Sequence, residues 1–265
     1  RGNENINTLN GMSGNNTVLY TFSALTAGIV ANLNAGEVQK TVSTGTVTDT
    51  LLNIQNIVGS KYDDTFIAKT GEVNIINGGD DNSSENLGDT IDYNISGVSK
   101  IVLDLDVSHT TDVYGIGVTN DGTYASVLVN GNSSAIDKIT NIENIQGSGG
   151  ADTIYGNSSN NTIYGMGGND TIFGVAGDNY LDGGAGNDLI YSGTGIDRIF
   201  GGTGDDTIKA TSAASFASDI IDGGSETDGI NITGRGSDTV DYSLVNTTGF
   251  TKGVEVTLNS DTNST

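Results

Sequence analysis

The 265-residue chain contains no proline, no cysteine and no tryptophan, and it has a single histidine. Ten lysines and arginines stand against 33 acidic residues. Without cysteine there can be no disulfide, no thiolate metal site and no cysteine nucleophile. A net charge of −23 excludes nucleic acid and anionic membrane as natural partners, because both require basic patches. No run approaches the roughly 18 apolar residues of a membrane-spanning helix, so membrane insertion is not expected. Hydrophobic residues are also scarce, at 34%, which makes a two-layer core hard to build. So large an excess of one charge opposes compaction unless cations intervene. The regular Ile, Leu and Val positions argue against a disordered acidic polymer once metal is present, and leave that state open without it.

What the chain does have is glycine, 40 of them, with many Asn, Thr and Ser. From Gly147 these fall into an unbroken nine-residue register: GSGGADTIY, GNSSNNTIY, GMGGNDTIF, GVAGDNYLD, GGAGNDLIY, SGTGIDRIF, GGTGDDTIK. The eighth position is always aliphatic: Ile154, Ile163, Ile172, Leu181, Ile190, Ile199, Ile208. The sixth is always Asp or Asn, and glycine dominates the first four, where a tight loop needs unusual backbone angles. Short apolar positions between Gly/Asn turns suit a solenoid whose coils bury their aliphatics against their neighbours. Asn7 and Asn16 already stand nine apart, with Leu9 and Val18 two residues after each, and Arg1 is not an initiator methionine. We therefore expect a piece of a longer polypeptide that begins inside a solenoid.

These repeats resemble the repeat-in-toxin (RTX) family, whose GGxGxDxUx nonapeptide is a calcium-binding motif. The resemblance is close over 147–209 and looser elsewhere. It implies an all-β fold, a parallel β-roll (β-helix) solenoid flanked by less regular β modules. Six residues would turn, three would form a strand, and two nonapeptides would complete a coil. It also implies Ca²⁺ between loops of successive coils, on backbone carbonyls and sixth-position carboxylates. Calcium suits such loops, since it wants six or more oxygens at about 2.3–2.6 Å.

With eighteen residues per coil, alternate repeats stack on opposite edges. One edge carries Asp152, Asp170, Asp188 and Asp206, with the loops GSGG, GMGG, GGAG and GGTG. The candidate metal residues there are those four aspartates with Gly147, Gly149, Gly165, Gly167, Gly183, Gly184, Gly186, Gly201, Gly202 and Gly204. The other edge carries Asn161, Asn179 and Asp197. We expect three calcium sites on the first edge. The second should bind weakly or not at all and be held by stacked amides, with Asp197 its one candidate ligand. The bland reading of each Asp is turn chemistry, and seven repeats in register weigh against it. Tyr155, Phe173 and Tyr191 should form an outward-facing ring ladder that stabilises one sheet, or else makes a ligand or subunit contact.

A longer repeat surrounds the nonapeptides. NIQNIVGSKYDDTF (53–66) matches NIENIQGSGGADTI (141–154), and DTIDYNIS at Asp89 echoes DTVDYSLV at Asp238. Alternating stretches GIVANLN, KIVLDLD and GVEVTLN follow such blocks and read as strands with one buried face. We divide the chain into 1–88 (repeat tail and first β module) and 89–146 (second module). The β-roll with its enlarged loops covers 147–237, and 238–265 begins a third module. A hairpin turning at Asn120-Asp121-Gly122 is expected within 114–131. Two acidic loops, 77–89 and 222–238, are either solvated or further calcium sites on Asp80, Asp81 and Asp89, or on Glu226, Asp228 and Asp238.

No catalytic constellation is evident, and no enzyme is expected. His109 lies alone in DVSHTTD, and no Ser sits in a GxSxG elbow. Similar blocks accompany β-rolls in large secreted adhesins and surface-layer proteins. The resemblance therefore implies a calcium-rigidified structural segment at the bacterial cell surface, exported by a type I-like system. Other copies of itself or cell-surface glycans are the further candidate partners. The alternative is the calcium-triggered secretion and folding domain of an extracellular toxin or hydrolase.

Overall fold

A nonapeptide whose first six positions are rich in Gly, Asn and Asp leaves three residues for a strand. In a computed structural model, strands of that length form at Thr153–Tyr155, Thr162–Tyr164, Thr171–Phe173, Leu189–Tyr191 and Thr207–Lys209. Tyr180–Ala185 and Arg198–Thr203 run on into the following loop. The structure describes residues 3–79, 88–113, 115–131, 136–209, 219–223 and, as backbone, 239–241.

Outside two three-stranded meanders, successive strands alternate between two sheets, each of eleven strands among the described residues. Every strand of the roll pairs in parallel with the one a full coil later. In one sheet Thr153 meets Thr171, which meets Leu189, which meets Thr207. In the other, Asn144 meets Thr162, which meets Tyr180, which meets Arg198. The eighteen-residue coil is thus the real unit, and the fold is an all-β parallel β-roll. Side chains alternate along a strand, so the middle residue of each faces inward. Ile154, Ile163, Ile172, Leu181, Ile190 and Ile199 are all 0% exposed, and Ile208 is 1% exposed. Their column continues through Ile145, Ile139, Ile91, Ile76 and Phe66 as one core.

Each sheet also holds one antiparallel meander. Leu25–Asn32, Glu37–Val42 and Gly45–Leu52 lie between the parallel strands Thr8–Asn10 and Thr65–Ile67. In the other sheet Ile101–Asp104, Ala125–Val129 and Ile136–Thr140 lie between Ile75–Asn77 and Thr153–Tyr155. The two meanders correspond register by register. Ile29 opposite Lys40 matches Ile101 opposite Val129, and Val38 opposite Asp49 matches Val127 opposite Asp137.

Among the described residues of 114–131 the expected hairpin does not form. Ala125–Val129 is the middle strand of the second meander, paired on both sides, and Asp121 and Gly122 lie in the loop before it. Local side-chain bonds hold that loop instead of a second strand. Asp121 Oδ1 accepts the Thr123 and Tyr124 N–H groups at 3.0 and 2.8 Å. Asn120 is buried and donates Nδ2 to the carbonyls of Asp104 and Asp106 at 3.0 and 2.8 Å. Of 238–265 only the strand Thr239–Asp241 is described, pairing in parallel with Thr207–Lys209. Asp80, Asp81, Glu226, Asp228 and Asp238 lie outside the described residues.

Candidate metal centre

The sixth-position side chains form a ladder along each edge of the roll. On the first edge the Asp152 N–H donates to Asp170 Oδ1 at 2.7 Å. Asp170 N–H donates to Asp188 Oδ1 at 2.7 Å, and Asp188 N–H to Asp206 Oδ1 at 2.8 Å. On the second edge Asn161 N–H donates to Asn179 Oδ1, and Asn179 N–H to Asp197 Oδ1, both at 2.9 Å. Asp and Asn do the same work with Oδ1, which explains why both are accepted there. Their second terminal atom separates the two edges.

On the amide edge, Asn179 Nδ2 donates into its own loop, to the carbonyls of Gly174, Ala176 and Gly177 at 3.3, 3.2 and 3.0 Å. Asn161 Nδ2 donates to the Glu143 carbonyl at 3.0 Å. On the carboxylate edge the same place is taken by an oxygen. Oδ2 of Asp170 and of Asp188 is buried with no hydrogen-bond partner, although the residues are only 1% and 2% exposed. A buried acceptor without a donor costs about 1–3 kcal/mol, more for a charged one. A carbonyl-lined loop that receives N–H on one edge and a bare carboxylate oxygen on the other leaves, on the second, oxygens that a cation would satisfy.

Electrostatics points the same way. Burial first, then the charges of Asp152 and Asp188, push the Asp170 carboxyl up to about 8 against the Asp152 N–H that opposes the shift. Burial likewise raises Asp188 to about 6, reinforced by Asp206 and Asp182. Both are costly to ionise without a neutralising partner.

First-position glycines make the loop close enough. A Cβ on Gly165 would meet Asp170 Oδ2 and the Gly183 carbonyl, and one on Gly183 would meet Asp188 Oδ2 and the Gly201 carbonyl. Gly147 and Gly201 hold the same place beside Asp152 and Asp206. Fourth-position Gly186 and Gly204 have φ of 135° and 125°, which a side chain rarely adopts. Gly184 and Gly202 occupy second positions, also at positive φ, whereas Gly149 and Gly167 at the third position have room for a side chain. Among the described residues no three acidic or histidine side chains converge on one point. Carboxylate Oδ2 atoms and loop carbonyls together are the donor set, and hard oxygens of that kind fit calcium. Bound there, calcium would supply the positive charge that the stacked carboxylates lack.

Asp152 stands apart from the other three aspartates of its edge. Its Oδ1 accepts the Ile101 N–H at 2.6 Å and the Ser148 hydroxyl at 2.8 Å, and its Oδ2 accepts the Ser148 N–H at 2.5 Å. Asp64 is held the same way by Ile29 and Ser60. The GS-x-x-x-D blocks thus close the loop that follows each meander with hydrogen bonds. Asp197, on the amide edge, is 0% exposed, and its Oδ2 has no hydrogen-bond partner. Asp219 continues that edge, taking the Asp197 N–H at 2.9 Å. Sequence reasoning missed Asp219, and it missed a second ladder at position five. There Asn169 Oδ1 accepts the Asn187 N–H, and Asn160 Oδ1 the Asp178 N–H.

Two other expectations meet the structure here. Tyr155, Phe173 and Tyr191 do stack, with centroids 4.0 and 4.3 Å apart and planes within 10°, although Tyr155 is buried. His109 is not a free surface residue: its Nδ1 lies 2.8 Å from Asp104 Oδ2.

A parallel β-roll whose edge is lined by stacked buried carboxylates is a nonapeptide-repeat solenoid. The RTX calcium-binding nonapeptide repeat matches this chain in four copies, over residues 1–19, 140–172, 164–199 and 191–212. The chain therefore carries RTX calcium-binding repeats, and its roll is the fold they build. Searched as a whole against curated proteins, the sequence finds no significant match.

Proposed function

We propose that this chain is a structural, non-catalytic segment of a large secreted bacterial surface protein, of the surface-layer or adhesin kind, rigidified by extracellular calcium. The observation that carries the reading is the pair of buried, unpartnered Oδ2 atoms of Asp170 and Asp188 on one edge of the roll. We assign calcium to the loops of Asp170, Asp188 and Asp206, with Gly165, Gly183 and Gly201 giving the carboxylates access. In calcium-poor cytosol the charge of −23 favours the open, exportable chain. Outside the cell, metal binding and folding become one equilibrium. Extracellular modules bind calcium at about 10⁻⁴–10⁻³ M, so each site adds roughly 0.5–1.5 kcal/mol in millimolar calcium. A few sites together decide folding in a chain with so little apolar material.

Circular dichroism during a calcium titration tests the folding claim. A cooperative gain of β signal, reversed by chelator, is expected, and a full β spectrum in chelator would contradict it. Sedimentation in calcium then separates the two surface roles: lateral assembly into sheets or filaments marks a surface-layer subunit, and a persistent monomer marks a stalk.

A further inference from the structure

The two meanders enclose corresponding buried carboxylates, and only one of these has a cation. In the first, Asp49 Oδ1 accepts the N–H and the Nδ2 of Asn7 at 2.8 and 3.0 Å, and Oδ2 accepts the Tyr20 hydroxyl at 2.9 Å. Lys40 completes the cluster. Its Nζ lies 2.6 Å from both oxygens of Asp49, donates to the Asn5 carbonyl at 2.8 Å, and sits 5.9 and 5.7 Å from the ring centres of Tyr20 and Phe22. The side chains of Lys40 and Asp49 are both 0% exposed.

The second meander repeats every part but one. Asp137 Oδ1 accepts the N–H and the Nδ2 of Asn74, both at 2.8 Å, and Oδ2 accepts the Tyr93 hydroxyl at 3.0 Å. Opposite Ile101, where the first meander has Lys40 opposite Ile29, stands Val129. In place of the lysine there is a cavity of about 80 Å³ whose lining includes Asp137, Tyr93, Ile95 and Val129, with Lys69 and Glu72. Lys69 is engaged by Glu72 at 2.9 Å. Among the described residues no lysine or arginine pairs with Asp137. Asp137 is only 2% exposed, and a buried carboxylate without a counter-charge is costly to keep ionised.

We propose that this cavity binds a small primary alkylammonium ion, its ammonium on Asp137 and its carbon chain against Ile95 and Val129. The first meander supplies the pattern, with Lys40 as a tethered version of the ligand. Lysine extends past the γ carbons of valine by Cδ, Cε and Nζ, the heavy atoms of ethylammonium. The volume suits such an ion, since a water in the liquid takes about 30 Å³. Of the two carboxylates in the lining, Glu72 is paired with Lys69, which leaves Asp137 beside Ile95, Val98 and Val129. That setting selects a primary ammonium over a bare metal ion, which would demand more oxygens, and over a quaternary ion, which has no N–H to donate.

The test is thermal unfolding of the calcium-saturated chain during titration with ethylammonium chloride, against tetramethylammonium and sodium chlorides at matched ionic strength. Ethylammonium alone should raise Tm saturably, on the order of 3–5 °C at ten times its half-saturating concentration. Val129→Lys should raise Tm without ligand and lose the response. Should that variant fold poorly, Val129→Met fills the cavity with a neutral chain, and it should keep the fold and lose the response. An unsaturable rise, an equal rise with all three salts, or a response that survives Val129→Met overturns the proposal.

Discussion

Asp170→Asn should stabilise the protein in chelator and lose most or all of that gain in calcium. Asn179 shows what an amide does in such a loop, where its Nδ2 reaches three main-chain carbonyls at 3.0–3.3 Å. An amide at 170 gains comparable bonds. The NH2 group has two hydrogens to give, each bond contributes about 0.5–1.5 kcal/mol net, and their long geometry argues for the lower half, so roughly 1–2 kcal/mol in all. The variant also removes a carboxylate that burial and two neighbouring aspartates make hard to ionise. In chelator it should therefore be the more stable protein. In about 5 mM calcium it gives up one ion's contribution, which for a 10⁻⁴–10⁻³ M site is about 1–2 kcal/mol. Urea midpoints measured across a calcium series give both numbers on one protein. Asn179→Asp is the reciprocal variant, expected to weaken the chelated form and steepen the calcium dependence. Equal loss of stability by Asp170→Asn in chelator and in calcium would refute the reasoning, because it would make the Oδ2 position merely structural.

Three other outcomes follow from the same geometry. Asp170 and Asp188 are raised to about 8 and about 6 in the folded chain. Their stabilising effect on the metal-free fold is therefore complete below the unfolded carboxylate range and is lost as pH rises through those values. Urea midpoints in chelator should fall between about pH 4 and pH 8 while calcium affinity rises over the same interval, since calcium competes with the proton. Gly165→Ala should lower the melting temperature and abolish the calcium increment of its loop, at a cost of about 1–3 kcal/mol, whereas Gly149→Ala meets nothing within 4 Å and should change both little. Ser148→Ala removes the hydroxyl that Asp152 accepts at 2.8 Å. It should cost about 1.5–3 kcal/mol by equal amounts in calcium and in chelator.

Much of this architecture could be read from the chain because it is local and periodic. The aliphatic eighth position and the nine-residue spacing fix the strands, the coil and the inward column of Ile154 to Ile208 without any long-range information. The alternation of Asp and Asn marks the two edges for the same reason. What escaped depends on partners far apart in sequence. The Ile101 bond to Asp152 needs the second meander in place, since Ile101 stands 51 residues before that aspartate. Ala125–Val129 looked like half of a hairpin because its true partners, Ile101–Asp104 and Ile136–Thr140, come from outside that turn. Asp219 was hidden because 22 residues separate it from Asp197 where the regular coil has 18. The correspondence of Lys40 with Val129 is invisible to alignment by spacing, since the loop before Ala125–Val129 is much longer than the one before Glu37–Val42.

The most direct measurement is anomalous diffraction at long wavelength from crystals grown in calcium. Peaks are expected beside Oδ2 of Asp170, Asp188 and Asp206, with none in the loop that the amide of Asn179 fills. Equal peaks along both edges, or water alone beside the three aspartates, would contradict the account.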